Sequence, residues 1–242
     1  MQHFIDESGA FSWHNPGLSL FVGLLITDRS SAAVFDRFLR WKREIIGKSS
    51  REVKGEELTA KQLDSFSYKV LPFTDRDPKL TVVGADTKIM SREVLERVQK
   101  QVSDQFAYSA NFVLKHNPSN TRLAQQYTEL AGWVKNRSIE NFLWLNVLEE
   151  EILQSVQHGV AYLLEPDDDP EFENIEIVID RSFIRRQQHI SFWKEFLRNG
   201  LVNRSHREGF VIPNTWSKRD QPFMLKYHLN YAHTSAFPGA AE

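Results

Sequence analysis

Cysteine is absent from this 242-residue chain. Its absence excludes disulfides, thiolate catalysis and cysteine-bound zinc, and it fits a reducing cytoplasm, the expected compartment. Long hydrophobic runs are missing too. The longest, Leu18 to Ile26, has the length of a strand and is too short to span a membrane. The first residues carry no secretory pattern, because an apolar strand begins almost at once. Neither sign of charge dominates. Thirty basic and 32 acidic residues leave a net charge of −2, so any grip on nucleic acid must come from a local patch. Gly9 and Gly55 stand alone, so no glycine-rich phosphate loop exists. The histidines show no pair at metal-ligand spacing, and no Gly-x-Ser-x-Gly elbow occurs. A hydrolase triad is therefore unsupported.

What remains is a chain long enough to bury a core without staples. Hydrophobic residues make up 41% and charged residues 26%, the balance of a soluble globular protein. With no internal repeat and no long linker, residues 1–242 read as one domain. His3 to Asp6 and Leu18 to Thr27 read as an antiparallel hairpin around the turn-rich Ser8–Gly17 loop. Asp28 or Ser30 is positioned to cap a helix over Ser31–Gly47, and Thr59 to cap one over Ala60–Leu71 with Leu63, Phe66 and Val70 inward. Leu80 to Ile89 reads as a strand. Ser91 opens a helix reaching Phe106 or Lys115, and Thr121 to Leu164 is helical with an interruption near Asn136–Ser138. The stretch of about 91–165 is thus a large helical insertion. Ile175 to Ile179 is a β-branched run that predicts a strand buried on both faces. A helix over Arg185–Leu197 and a strand over Phe210–Pro213 follow.

Three acidic islands sit on or beside short apolar segments: Phe4-Ile5-Asp6-Glu7-Ser8-Gly9, Glu52-Val53-Lys54-Gly55-Glu56-Glu57 and Ile175-Glu176-Ile177-Val178-Ile179-Asp180-Arg181. Acids flanking strands are often no more than soluble punctuation. Brought together by a fold, such acids build Mg²⁺ or Mn²⁺ sites for phosphoester chemistry. Asp6 and Asp180 each end an apolar run, so on neighbouring strands their carboxylates would face each other. Glu52 is the candidate third ligand, and Lys54 the group that neutralises developing charge. Glu56 and Glu57 suit the entry of the next helix instead. Asp86 reads as a surface residue, Asp167-Asp168-Asp169 as a solvated turn, and Glu149-Glu150-Glu151 as the solvent face of a helix.

Directly after Asp180 the chain turns basic. Arg181, Arg185, Arg186, Lys194, Arg198, Arg204 and Arg207 face only Glu195 in opposition. Such a segment suits a phosphate backbone lying beside the metals, and equally a solvated helix face.

The motifs Ile5-Asp6-Glu7-Ser8-Gly9, Glu52-Val53-Lys54-Gly55 and Val178-Ile179-Asp180-Arg181 resemble, in order and spacing over most of the chain, the domain of unknown function 3800 family of bacterial and phage proteins. The resemblance implies an α/β, ribonuclease H-like mixed sheet flanked by helices, with an acidic metal site. It implies Asp6 as the first-strand acid, Glu52 as the second, Asp180 as the later one and Glu7 as a weaker member. The family recurs near mobile elements and phage-defence genes. Two departures stand out. The family's late Gln-x-Ala-Asp stretch does not occur before Glu242, and no third strand of the ribonuclease H hairpin set is visible between Thr27 and the first helix.

The expected activity is therefore metal-dependent hydrolysis of nucleic-acid phosphodiesters, with Asp6, Glu7, Glu52 and Asp180 around Mg²⁺ or Mn²⁺ and Lys54 assisting. A site short of its last acid predicts weak or absent cleavage and at most one ordered metal. Glu52-x-Lys54 also suits a restriction-endonuclease-like nuclease, in which Asp180 is not needed. A third reading is a non-catalytic member of a phage-defence or toxin system that binds nucleic acid or a partner protein.

Overall fold

The computed structural model describes residues 2–47, 53, 57–71, 78–155, 174–179 and 226–229. Among the described residues five strands form one mixed sheet: β1 (Gln2–Ser8), β2 (Leu18–Ile26), β3 (Lys79–Asp86), β4 (Asn174–Ile179) and β5 (Lys226–Leu229). Their order is β3-β2-β1-β4-β5. β2 runs antiparallel to both β1 and β3, while β4 runs parallel to both β1 and β5. The helices are α1 (Asp28–Ile46), α2 (Ala60–Lys69), α3 (Arg92–His116), α4 (Thr121–Lys135) and α5 (Ile139–Gln154). The protein is thus α/β, with a mixed sheet and accompanying helices. None of the described helices is long and apolar enough to cross a membrane.

The predicted hairpin is present, with Ile5 opposite Gly23 and Asp6 opposite Val22. β1 continues to Ser8, so Asp6 lies two residues inside its end. The turn that follows explains the glycine of the first motif. Gly9 has φ +97°, and a Cβ there would sit 2.6 Å from Ser19 Oγ and 2.8 Å from Ser19 Cα. Only glycine tolerates both conditions at once. Phe11 also has positive φ, at 45°, which is costly for a bulky residue. Its backbone N–H donates to Ser19 Oγ at 2.9 Å, and its ring is buried 5.2 Å from that of Phe21. Burial and the bond offset the strain.

The missing third strand of the hairpin set lies after two helices. β3 pairs with β2 from Lys79 opposite Leu25 to Asp86 opposite Leu18. It stops earlier than the predicted Ile89, because Ile89 and Met90 donate their N–H groups back to Asp86 O and Lys88 N–H donates to Asp86 Oδ1. Asp86 therefore closes a turn and is half-buried.

Helix boundaries follow their caps. Ser91, Asn120 and Ser138 each accept an N–H from three residues on, which starts α3, α4 and α5. Thr59 and Gln62 form a reciprocal capping box at α2. α1 begins at Asp28 with Thr27 as its cap, in place of Asp28 or Ser30. Leu63 is exposed, contrary to its predicted inward face, while Val70 is buried. α2 meets α1 through Phe66 against Trp41, and that contact leaves Leu63 outside.

The core lies between the sheet and α5. Ile5, Phe21, Leu25, Ile177 and Ile179 from the strands meet Phe142, Leu143, Leu148 and Ile152 of the helix. β4 carries Ile177 and Ile179 on this face and the buried Val178 on the other, as its apolar run predicts. The predicted helix over 185–197 and strand over 210–213 lie outside the described residues.

Candidate functional site

Side chains alternate across a strand, and β1 uses both of its faces. His3, Ile5 and Glu7 point toward α5. Their partners there are Glu151, the core and Trp144 respectively. Asp6 falls on the opposite face and is exposed. Its Oδ1 accepts the Glu7 backbone N–H at 2.9 Å, which fixes the orientation of the carboxylate. On that same face Asp6 stands beside Val22 of β2.

On its other side β1 meets β4. The parallel register pairs His3 with Ile177, Phe4 with Val178 and Ile5 with Ile179. The strands that carry the first and third acidic islands are therefore neighbours running in the same direction. Asp180 itself, with Glu52, Lys54, Arg181, Arg185, Arg186, Lys194 and Arg198, lies outside the described residues. Of the second island, Val53 is half-buried and Glu57 is exposed, ahead of the Thr59 cap of α2. Among the described residues no three His, Asp or Glu side chains form a metal-binding group.

Glu7, expected as a weaker ligand, has a different setting from Asp6. The indole N–H of Trp144 donates to its Oε2. Partial burial raises its pKa above the ordinary glutamate value, the Trp144 bond lowers it, and the neighbouring Asp6 charge adds to the rise. A carboxyl whose pKa is raised on folding contributes stability in acid, and that contribution is lost as pH rises through its folded value. Glu7→Gln keeps an acceptor for the indole and removes the charge. The variant is expected to be more stable than the unsubstituted chain at pH 7, with the gain vanishing near pH ~4, where glutamate approaches its neutral form. Urea unfolding at the two pH values measures this. An equal gain at both would show that Glu7 does not titrate against the fold.

Sequence reasoning missed a second polar cluster entirely. Glu151 is fully buried, not on a solvent face. α5 is apolar nearly all round, with Phe142, Leu143, Leu145, Leu148, Ile152 and Leu153 all buried, so it has little solvent face to offer. Glu151 Oε1 meets His3 Nε2 at 3.1 Å and accepts from Ser155 Oγ at 2.8 Å. Gly23 makes the space. A Cβ there would fall 1.8 Å from Glu151 Oε1 and 2.4 Å from His3 Nε2. His3 Nδ1 and Glu151 Oε2 have no hydrogen-bond partner among the described residues. A signal was available: Ile139, Leu143, Val147 and Glu151 recur every four residues, which is the buried stripe.

Comparison with protein-family models, with curated proteins and with solved structures gives no match to this chain.

Proposed function

We propose that the chain is a metal-dependent nuclease with a ribonuclease H-like core, hydrolysing phosphodiester bonds in nucleic acid. One observation carries the reading. β1 and β4 are parallel neighbours with Ile5 opposite Ile179, and in each case the next residue of the sequence is an aspartate, Asp6 or Asp180. The antiparallel β1-β2-β3 set that such a core needs supports it further. Asp6 offers an exposed carboxylate on the sheet face away from α5, and its hard oxygen suits Mg²⁺ or Mn²⁺ better than a soft metal. Asp180 and Glu52 would complete the donor set with oxygen ligands of the same kind. When bound, the metal supplies charge neutralisation and an activated water.

The chain's own groups would do the rest. The Glu7 peptide N–H holds Asp6 in one orientation, which limits the rearrangement needed at the site. Lys54 would sit against negative charge developing on the phosphoryl group. Arg181, Arg185, Arg186, Lys194 and Arg198 would hold the backbone on either side.

Purified chain incubated with labelled single- and double-stranded RNA and DNA, in Mg²⁺, Mn²⁺ or EDTA, tests the reading. Cleavage of at least one substrate in Mn²⁺ or Mg²⁺, and none in EDTA, is expected. Binding without cleavage in either metal would favour the non-catalytic reading.

A further inference from the structure

We propose that Glu151 and Trp144 of α5 are positioning residues that select which face of β1 turns inward, and so present Asp6 rather than Glu7 on the side of the sheet away from α5. The hydrophobic pattern of β1 does not make this choice. Its inner face reads His3, Ile5, Glu7 and its outer face Gln2, Phe4, Asp6. Each face thus carries a polar residue, a large apolar residue and an acid, in the same order. A strand with so even a pattern has a weakly specified register, and a one-residue slip exchanges its faces. A bulge at Ser8 would absorb the slip and leave Gly9 and Phe11 on Ser19. In the slipped strand Phe4 would take the place of Ile5 opposite Gly23, and Asp6 that of Glu7 opposite Phe21.

Two contacts break the tie, and α5 makes both with the inner face. Near the start of β1, His3 Nε2 meets Glu151 Oε1 at 3.1 Å, in a space kept open by the bare backbone of Gly23. Near its end, the Trp144 indole N–H donates to Glu7 Oε2. The indole is itself held edge-on to the Phe21 ring, with centroids 5.2 Å apart. Trp144 and Glu151 are two turns apart, about 10.5 Å along the helix. His3 and Glu7 are separated by about 13 Å of strand. One helix lying along β1 therefore clamps it toward both ends. The competing face fits this frame poorly. Asp6 is a methylene shorter than Glu7 and would leave the Trp144 N–H short of its acceptor. Phe4 is bulkier than the Ile5 it would replace in a close-packed core. That the carboxylate so presented holds a metal rests on the nuclease reading; the choice of face does not.

The chain has no cysteine, so Ile5→Cys and Asp6→Cys each introduce a single thiol, one per face. The rate at which the folded full chain reacts with dithiobis(nitrobenzoate) tests the proposal. In the otherwise unchanged chain the thiol at position 6 should react about 100-fold or more faster than that at position 5, since Asp6 is exposed and Ile5 only 4% exposed. Adding Trp144→Phe, which keeps a ring beside Phe21, or Glu151→Leu should speed labelling at position 5 about tenfold or more and slow it at position 6 about twofold. The opposite signs are the mark of exchanged faces, because mere loosening of the fold speeds position 5 and leaves position 6 fast. His3→Leu added to Glu151→Leu should restore protection at position 5, since the inner face then carries the stronger apolar pattern. Should Glu151→Leu fail to fold, Trp144→Phe decides alone. No change at either position overturns the proposal. So does faster labelling at position 5 without slower labelling at position 6. Mn²⁺ affinity of the cysteine-free Trp144→Phe chain separates this proposal from the nuclease reading. Exchanged faces with undiminished affinity would support the positioning role and remove Asp6 from the metal site.

Discussion

Asp6→Asn should reduce the proposed metal-dependent cleavage by about 100-fold or more, because losing a carboxylate placed to hold the metal would remove several kcal/mol of transition-state stabilisation. The substitution is mild for the fold. Asp6 is exposed, and asparagine keeps a side-chain oxygen able to accept the Glu7 N–H that Asp6 Oδ1 now takes. Loss of activity would then come from the missing charge. Mn²⁺ titration followed by water-proton relaxation gives a second readout that does not need turnover, and affinity should fall in the same variant. Asp86→Asn is the control, since Asp86 closes the turn after β3 and lies two strands from β1 in the sheet. Undiminished cleavage and Mn²⁺ affinity in Asp6→Asn would remove the first strand from the site and the nuclease proposal with it.

Glu151→Ala should cost about 3 kcal/mol of folding stability, because it leaves a cavity in the core and strands two buried hydrogen-bonding groups. His3 and Glu151 are both fully shielded from solvent. Removing Glu151 strands His3 Nε2, whose ring already has one unpartnered nitrogen among the described residues. Gly23→Ala should cost a comparable amount by another route, because its Cβ would enter the space of Glu151 Oε1. Against a typical domain stability of about 5–15 kcal/mol, either loss is severe. The double variant His3→Leu/Glu151→Leu should be less damaging than the sum of its parts, since apolar replacement of both partners removes the desolvation cost along with the bond. Urea unfolding of the two singles and the double measures the coupling. Single variants each costing under about 1 kcal/mol would mean that the pair adds little to stability. The pair also ties β1 to α5 in one register. A one-residue slip of β1 would turn His3 away from Glu151 and put Asp6 into the core.

The sequence by itself determined the elements whose signal is local. Alternation and β-branching mark β1, β2 and β4, since a strand buried on one or both faces must repeat apolar residues with that period. Thr59, Ser91 and the Asn117–Asn120 break mark helix ends, because capping is chemistry between residues three apart. The acidic islands could be read as candidate ligands from residue type alone. Tertiary structure decided what depends on distant partners. It placed β3 beside β2 across two intervening helices, and β4 beside β1 across most of the chain. It also found β5, whose four residues are too few to show a period. It separated Asp6 from Glu7, neighbours in sequence, onto opposite faces of one strand. Most of all it decided Glu151. Three consecutive glutamates look solvated when each is weighed by its own hydrophilicity. What buries the third is the packing of α5 against the sheet, with His3 and the bare backbone of Gly23 waiting 148 and 128 positions away along the chain.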